Sequence, residues 1–132
     1  MRILKAPQSY QEEIRKSRFL AQAVPLPNSE QATELITQLS TPSASHNCWA
    51  WRCAQQQRFS DDGEPSGTAG RPILAAIENQ AFDQVLIVVT RWYGGIQLGT
   101  GGLARAYGGC ATQGVEDGAA SDDEGNGQGA EE

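Results

Sequence analysis

The sequence has a single histidine, a single methionine and only three cysteines, and aromatic residues make up 7% of its 132 positions. The cysteines, Cys48, Cys53 and Cys110, are odd in number and form no CxxC spacing. That argues against a disulfide framework and, with one histidine, against a zinc site; reduced thiols in a cytoplasmic protein are the expectation. No stretch approaches the roughly 20 apolar residues of a spanning helix, so no membrane role is expected. The opening Met1-Arg2-Ile3-Leu4-Lys5-Ala6-Pro7 lacks the apolar segment of a secretory signal.

The chain carries a net charge of −6, but unevenly. Residues 113–132 hold seven acids, five glycines and no base, with Val115 the one large apolar side chain, whereas the first 112 residues balance nine acids against ten bases. Two segments are therefore expected: a near-neutral folded body over 1–112, and an acidic, glycine-rich tail over 113–132 that buries too little surface to order itself. The acidity of the whole chain thus says nothing against an anionic ligand for the body.

Residues 14–24 read as a strand with Phe19, Ala21 and Ala23 on one face. Asn28 follows as a helix N-cap with Gln31 three residues on, and Ala32, Leu35, Ile36 and Leu39 then form an apolar stripe closed by Pro42. Residues 47–54 alternate as a strand with Trp49, Trp51 and Cys53 on one face, and Gln55–Gln57 turns into a second short strand at 58–60. A polar loop over 61–70 precedes a helix with Pro72 near its start and Ile73, Leu74, Ile77 and Ala81 on its inner side. Val85-Leu86-Ile87-Val88-Val89 is β-branched and continuous, as a central strand buried on both faces would be. A glycine-rich loop from Gly94 to Gly102 leads to a last helix over about 103–112. The order β-α-β-β-α-β-loop-α implies an α+β fold: a mixed sheet of about four strands with two to three helices on one face.

Two segments spend many residues on neither core nor ordinary turns, 58–72 and 90–107. In the first, Asp61, Asp62 and Glu64 stand within four residues. Such carboxylates either gather a hard divalent cation or bond backbone N–H groups in a turn, and the spacing is not that of an EF-hand. Gly67-Thr68-Ala69-Gly70 then opens a helix whose free N–H groups attract anions. In the second, Gly94-x4-Gly99-Thr100 has Walker spacing without the lysine, and Gly99-x-Gly101-x-x-Ala104 matches a dinucleotide fingerprint that no βαβ unit completes. What remains is a glycine-rich loop with Arg91 and Arg105 near it, read either as a phosphate cradle or as tight packing. His46 is a structural hydrogen-bonder or a partner for Cys48 on the same strand face. Trp49, Trp51, Trp92, Tyr93 and Tyr107 are packing residues by default, and exposed ones near Arg91 would stack on bases.

Lys16-Ser17-Arg18-Phe19, His46-Asn47-Cys48-Trp49-Ala50 and the two long segments together resemble the N-terminal domain of the IMPACT/YigZ family over roughly residues 12–110. The resemblance implies the fold of the second domain of a small-subunit ribosomal protein, shared with domain four of elongation factor G and the GHMP kinases. It implies a cytoplasmic protein tied to translation. Eukaryotic members restrain the amino-acid-starvation kinase pathway, a stress response, by competing for its activator protein; for bacterial relatives nucleic-acid or ribosome binding is the usual inference. No catalytic mechanism, cofactor or metal comes with it. By position, the family signature falls on Lys16, Ser17, Arg18, His46, Arg58, Asp61, Asp62, Glu64, Gly67, Thr68, Gly70, Thr90, Arg91, Gly94, Gly95, Gly99, Gly101, Gly102 and Arg105, and Arg71 joins them as a candidate binding residue. The resemblance implies that bacterial relatives continue into a smaller ferredoxin-like domain, in whose place Gly108-Gly109 and the acidic tail are expected here.

The leading expectation is a non-enzymatic binding domain whose loops, with Lys16, Arg18, Arg58, Arg91 and Arg105, form one face toward RNA, a ribosome or a translation-factor protein. The alternative is a metal-dependent phosphate-handling enzyme in which Asp61, Asp62 and Glu64 hold the metal and His46 moves the proton. A pure protein–protein module is a third reading.

Overall fold

The computed structural model describes residues 1–116. The long β-branched run forms β7 (Val85–Trp92), the centre of a five-stranded antiparallel sheet. Its neighbours are β3 (Ser17–Pro25) and β4 (His46–Cys53), and the edges are β2 (Gln8–Ile14) and β5 (Gln56–Ser60), giving the order β2-β3-β7-β4-β5. A two-residue parallel pair, β1 (Arg2–Ile3) with β6 (Phe82–Asp83), sits apart from it. Residues 85–89 are fully buried because both faces of β7 are covered, each large aliphatic side chain contributing about 1.5–3 kcal/mol of burial.

The helices are α1 (Ala32–Leu39), α2 (Gly70–Asn79) and α3 (Gly99–Glu116). Helices α2 and α3 cover one face of the sheet, packing on Phe19, Ala21, Ala23, Cys48, Ala50, Ile87 and Val89. The opposite face carries a second cluster in which Leu26, Trp51, Cys53, Leu86 and Val88 meet Leu35, Ile36 and Leu39 of α1. The alternation at Trp49, Trp51 and Cys53 is as expected, and the α+β class holds. The placing of all helices on one face is corrected: α1 lies on the other, because residues 86 and 88 of β7 require cover as much as 85, 87 and 89.

Three further differences have local causes. Strand β2 reads QSYQEEI, too polar to announce itself, since an edge strand with much of its surface in water needs no apolar alternation. It joins β3 through Arg15 and Lys16, both at positive φ (49° and 69°), a two-residue hairpin turn built without the usual glycine or asparagine. The first helix opens with a 3₁₀ turn at Ser29–Gln31, where the Asn28 side chain accepts the Glu30 N–H at 2.9 Å, and it ends at Ser40, before Pro42. The last helix starts at Gly99, so Gly99, Gly101 and Gly102 are helical, not loop. It runs to Glu116, past the expected boundary at 112, because Val115 and Gly114 are buried against the sheet. The rest of the expected acidic tail, 117–132, lies outside the described residues. No helix among the described residues is long and apolar enough to cross a membrane.

Candidate functional site

Sheet register assembles the site. Phe19, Arg91 and His46 stand opposite one another across β3, β7 and β4, so their side chains share the face covered by α2 and α3. Arg91 is 5% exposed, an uncommon state for a guanidinium that requires partners. Its Nη1 donates to Glu64 Oε2 at 2.8 Å and its Nε donates to Ser17 Oγ at 3.2 Å. Ser17 Oγ also accepts from the Gly94 N–H at 3.3 Å, tying the β2–β3 turn to the loop after β7. The guanidinium lies 5.7 Å from the Phe19 ring and 5.3 Å from that of Tyr93, within cation–π range.

Glu64, 8% exposed, is the hub. Besides Arg91, its Oε2 accepts the Tyr107 hydroxyl at 2.5 Å, while its Oε1 lies 3.6 Å from His46 Nε2. Tyr107 reaches inward from α3 and packs edge-on to Phe19 at 5.3 Å. Burial foremost, then neighbouring Cys48 and Glu64, pushes its phenol far above the ordinary range.

The three carboxylates of the 61–64 segment do not converge. Asp61 accepts the N–H groups of Gly67 (3.0 Å), Ala69 (3.1 Å) and Gly70 (2.8 Å), capping the start of α2. Burial alone would raise its carboxyl; the N–H groups of Gly67, Gly70 and Ala69, with Arg71 nearby, outweigh that and hold it below the usual carboxylate range. Asp62 Oδ2 accepts the Asn47 N–H at 2.6 Å, and its carbonyl oxygen faces His46 Nδ1 at 2.8 Å. Glu64 turns inward to Arg91. The metal-holding alternative is therefore corrected: each carboxylate is bound elsewhere, and among the described residues no three His, Cys, Asp or Glu side chains gather to hold a metal ion. A Cys48–His46 nucleophile pair fails too. The Cys48 thiol donates to the Asp61 carbonyl oxygen at 3.0 Å, and burial foremost pushes it up to about 12, far from a thiolate.

The single basic face is also corrected. Arg18 stacks on Trp92 at 4.3 Å, and alternation along β3 turns it to the face opposite Phe19. Arg58 stands opposite Trp51 on that same far face and donates to the Gln57 carbonyl oxygen. Arg71 lies over Phe59 at 5.0 Å beside the start of α2. Arg105 lines a separate groove of about 490 Å³ between α3 and β2, with Arg15, Glu12 and Tyr10. Lys16 belongs to the hairpin turn, and its carbonyl oxygen abuts Gly94: a Cβ there would stand 1.8 Å from it, so Gly94 serves close packing. Gly95 (φ +92°) turns the loop between β7 and α3, and Thr68 bonds within its own turn, Oγ1 donating to the Pro65 carbonyl oxygen at 2.6 Å. Thr90 donates to Asn47 Oδ1 at 2.8 Å.

What the two long segments do share is a cavity of about 500 Å³, walled by His46, Glu64, Pro65, Arg91, Tyr93, Gln97, Leu98, Gly99, Thr100 and Leu103. Tyr93 stands at it 50% exposed. Gln97, Leu98, Thr100 and Leu103 lie within the 90–107 segment singled out from the sequence, but none was named as a binding residue; Thr100 and Leu103 join the wall from the first turns of α3, and Gln97 and Leu98 from the loop before it.

The model of the Impact N-terminal domain matches residues 15–115. The chain belongs to the IMPACT family. It is 49% identical over 100 residues to the IMPACT family member in the pol 5′ region of Thermus thermophilus, covering 76% of this chain and 55% of that one. To the IMPACT family member YigZ of Escherichia coli strain K12 it is 44% identical over 115 residues, covering 82% and 56%. The chain thus spans about half the length of these relatives. Among solved structures, a hypothetical protein superposes with a TM-score of 0.83 at 42% identity, covering 88% of this chain and 61% of that one. The two-domain translational regulator Yih1 superposes with a TM-score of 0.53 at 26% identity, covering 86% and 45%.

Proposed function

We propose that this IMPACT-family chain is a non-enzymatic, translation-regulating binding domain of the cytoplasm that engages the ribosome or its RNA through the cavity where segments 58–72 and 90–105 meet. The convergence of both segments on one cavity carries the reading. Its groups are suited to holding a partner, not to turning it over: Asp61 and Asp62 are spent on backbone N–H groups, Cys48 is a buried thiol, and Glu64 is committed to Arg91 and Tyr107. The likeness to a translational regulator supports the pathway.

The dispersal of Arg18, Arg58 and Arg105 changes how such contact would work. Recognition would rest on a pocket and the exposed Tyr93, not on a continuous phosphate-reading surface. Affinity should then fall gently with salt, with the log–log slope of about one phosphate contact, near −0.7 to −0.9, against about −4 for five. Co-sedimentation of the full chain with ribosomes across a salt series tests this. Tyr93→Ala should weaken the binding about fivefold or more, while Arg58→Ala and Arg105→Ala should keep it. A wild-type chain that stays in the supernatant at low salt, or one captured only by a protein partner, refutes the proposal.

A further inference from the structure

The cavity wall holds two groups, His46 and Glu64, that form an ion pair with each other only when the imidazole is charged. His46 Nδ1 faces the Asp62 carbonyl oxygen at 2.8 Å, and a carbonyl oxygen only accepts, so Nδ1 carries the ring hydrogen. In the neutral ring Nε2 is then an acceptor. It stands 3.6 Å from Glu64 Oε1, the carboxylate oxygen that neither Arg91 nor Tyr107 uses. Two acceptors side by side on a cavity wall call for hydrogen donors from whatever fills it.

The surroundings narrow the class. A bare cation is disfavoured, because the Arg91 guanidinium lies beside the pair and the positive end of the α3 dipole, at Gly99 and Thr100, lines the same cavity. A phosphate seated on the pair is disfavoured, since its negative charge would face the Glu64 carboxylate. A neutral group with two adjacent O–H donors fits, and carboxylates take up ribose hydroxyls in this way in nucleotide-binding folds. Leu98, Leu103 and Pro65 supply apolar wall, and Tyr93 an exposed ring, for a flat base beside that diol. The volume of about 500 Å³ lies within the range of small-molecule sites.

We infer that the cavity is a ribose pocket: His46 Nε2 and Glu64 Oε1 accept the vicinal hydroxyls of a ribonucleotide whose base lies against Tyr93. This deepens the ribosome- or RNA-binding reading above and rests on it. The nucleotide has two sources, a free mononucleotide or the 3′-terminal nucleotide of an RNA strand, the position at which RNA keeps both hydroxyls free, and a 2′-OH contact is what distinguishes RNA from DNA.

The test is an NMR titration of the full ¹⁵N-labelled chain with adenosine 5′-monophosphate, its 2′,3′-dideoxy counterpart, inorganic phosphate, and a short single-stranded RNA and its DNA equivalent. The ribonucleotide should shift resonances of His46, Tyr93 and Thr100, and loss of both hydroxyls should weaken binding at least about tenfold, as for hydrogen bonds to a charged acceptor. RNA with a free 3′ end binding more tightly than the mononucleotide assigns the site to an RNA terminus; equal affinity assigns it to a free nucleotide. Tyr93→Ala, at an exposed position, should cost about fivefold or more in affinity with the ribose preference kept. His46→Phe should abolish the preference. Equal binding of the ribo- and dideoxy forms, the same shifts from inorganic phosphate alone, or no shift at millimolar nucleotide overturns the inference. Ribosome co-sedimentation without ribose discrimination would sink the pocket and leave the binding function standing.

Discussion

Glu64→Gln keeps the side chain's shape and removes its charge. In the folded chain, Glu64 Oε2 receives Arg91 Nη1 at 2.8 Å and the Tyr107 hydroxyl at 2.5 Å, in a place where neither charged group is more than 8% exposed. Breaking a buried ion pair from one side leaves the other charge without compensation and costs about 3–5 kcal/mol. A glutamine oxygen still accepts from Tyr107, so the low end applies, about 3 kcal/mol, which for a chain of this size lowers Tm by roughly 12 °C. Because the pair is shielded from solvent, the loss should differ little between low and high salt. Thermal and urea unfolding of both proteins measure it. A double variant, Glu64→Met with Arg91→Met, should cost less than Glu64→Gln alone, since it removes both charges from the core instead of stranding one. A Glu64→Gln loss below about 1 kcal/mol, or one that vanishes in high salt, would mark an exposed surface pair and refute the reasoning.

The remaining predictions concern the frame around the site. Asp61→Ala removes the acceptor of three N–H groups at the start of α2 and should cost about 1–2 kcal/mol at pH 7. Because the folded-state carboxyl is held below its ordinary value, that stabilisation is present above an unfolded pKa of about 3.9 and is lost as pH falls through the lower folded value, so urea midpoints of variant and wild type should draw together as the pH is taken below that of the unfolded carboxyl. Gly94→Ala would force a Cβ onto the Lys16 carbonyl oxygen and should destabilise by about 2–4 kcal/mol in thermal unfolding. Gly109→Ala, in α3 with open space around it, should instead stabilise by up to about 1 kcal/mol. Burial foremost holds the Cys48 and Cys110 thiols up to about 12, so iodoacetamide at pH 8 should leave both unmodified in the native chain and label them once it is unfolded, as read by mass spectrometry.

Local chemistry was legible wherever one residue pattern sufficed. The run at 85–89 could be little else than a central strand, and the alternation at 49, 51 and 53 named its own inner face. Asp61 and Asp62 proved to be turn acids on backbone N–H groups, one of the two readings their spacing allowed. Strand β2 was invisible because an edge strand tolerates polar residues, and its hairpin because Arg15 and Lys16 adopt positive φ without the usual turn residues. The start of α3 was misplaced because Gly99, Gly101 and Gly102 read as loop by propensity, while packing of Leu103, Ala106 and Tyr107 against the sheet makes them helical.

The sequence by itself determined the types of β3, β4, β5, β7 and the three helices, the α+β class and the two segments that carry the family signature, since each depends on periodicity and turn chemistry within a few residues. Only the tertiary structure decided which charges meet. Strand register set Arg91 opposite Phe19 and His46, and the 61–64 turn sent Asp61 and Asp62 to the backbone and Glu64 to Arg91. Alternation along β3 and β5 turned Arg18 and Arg58 to the far face of the sheet. Those outcomes follow from contacts between residues such as Arg91 and Glu64, 27 positions apart, or Tyr107 and Glu64, 43 apart, and no local pattern encodes them.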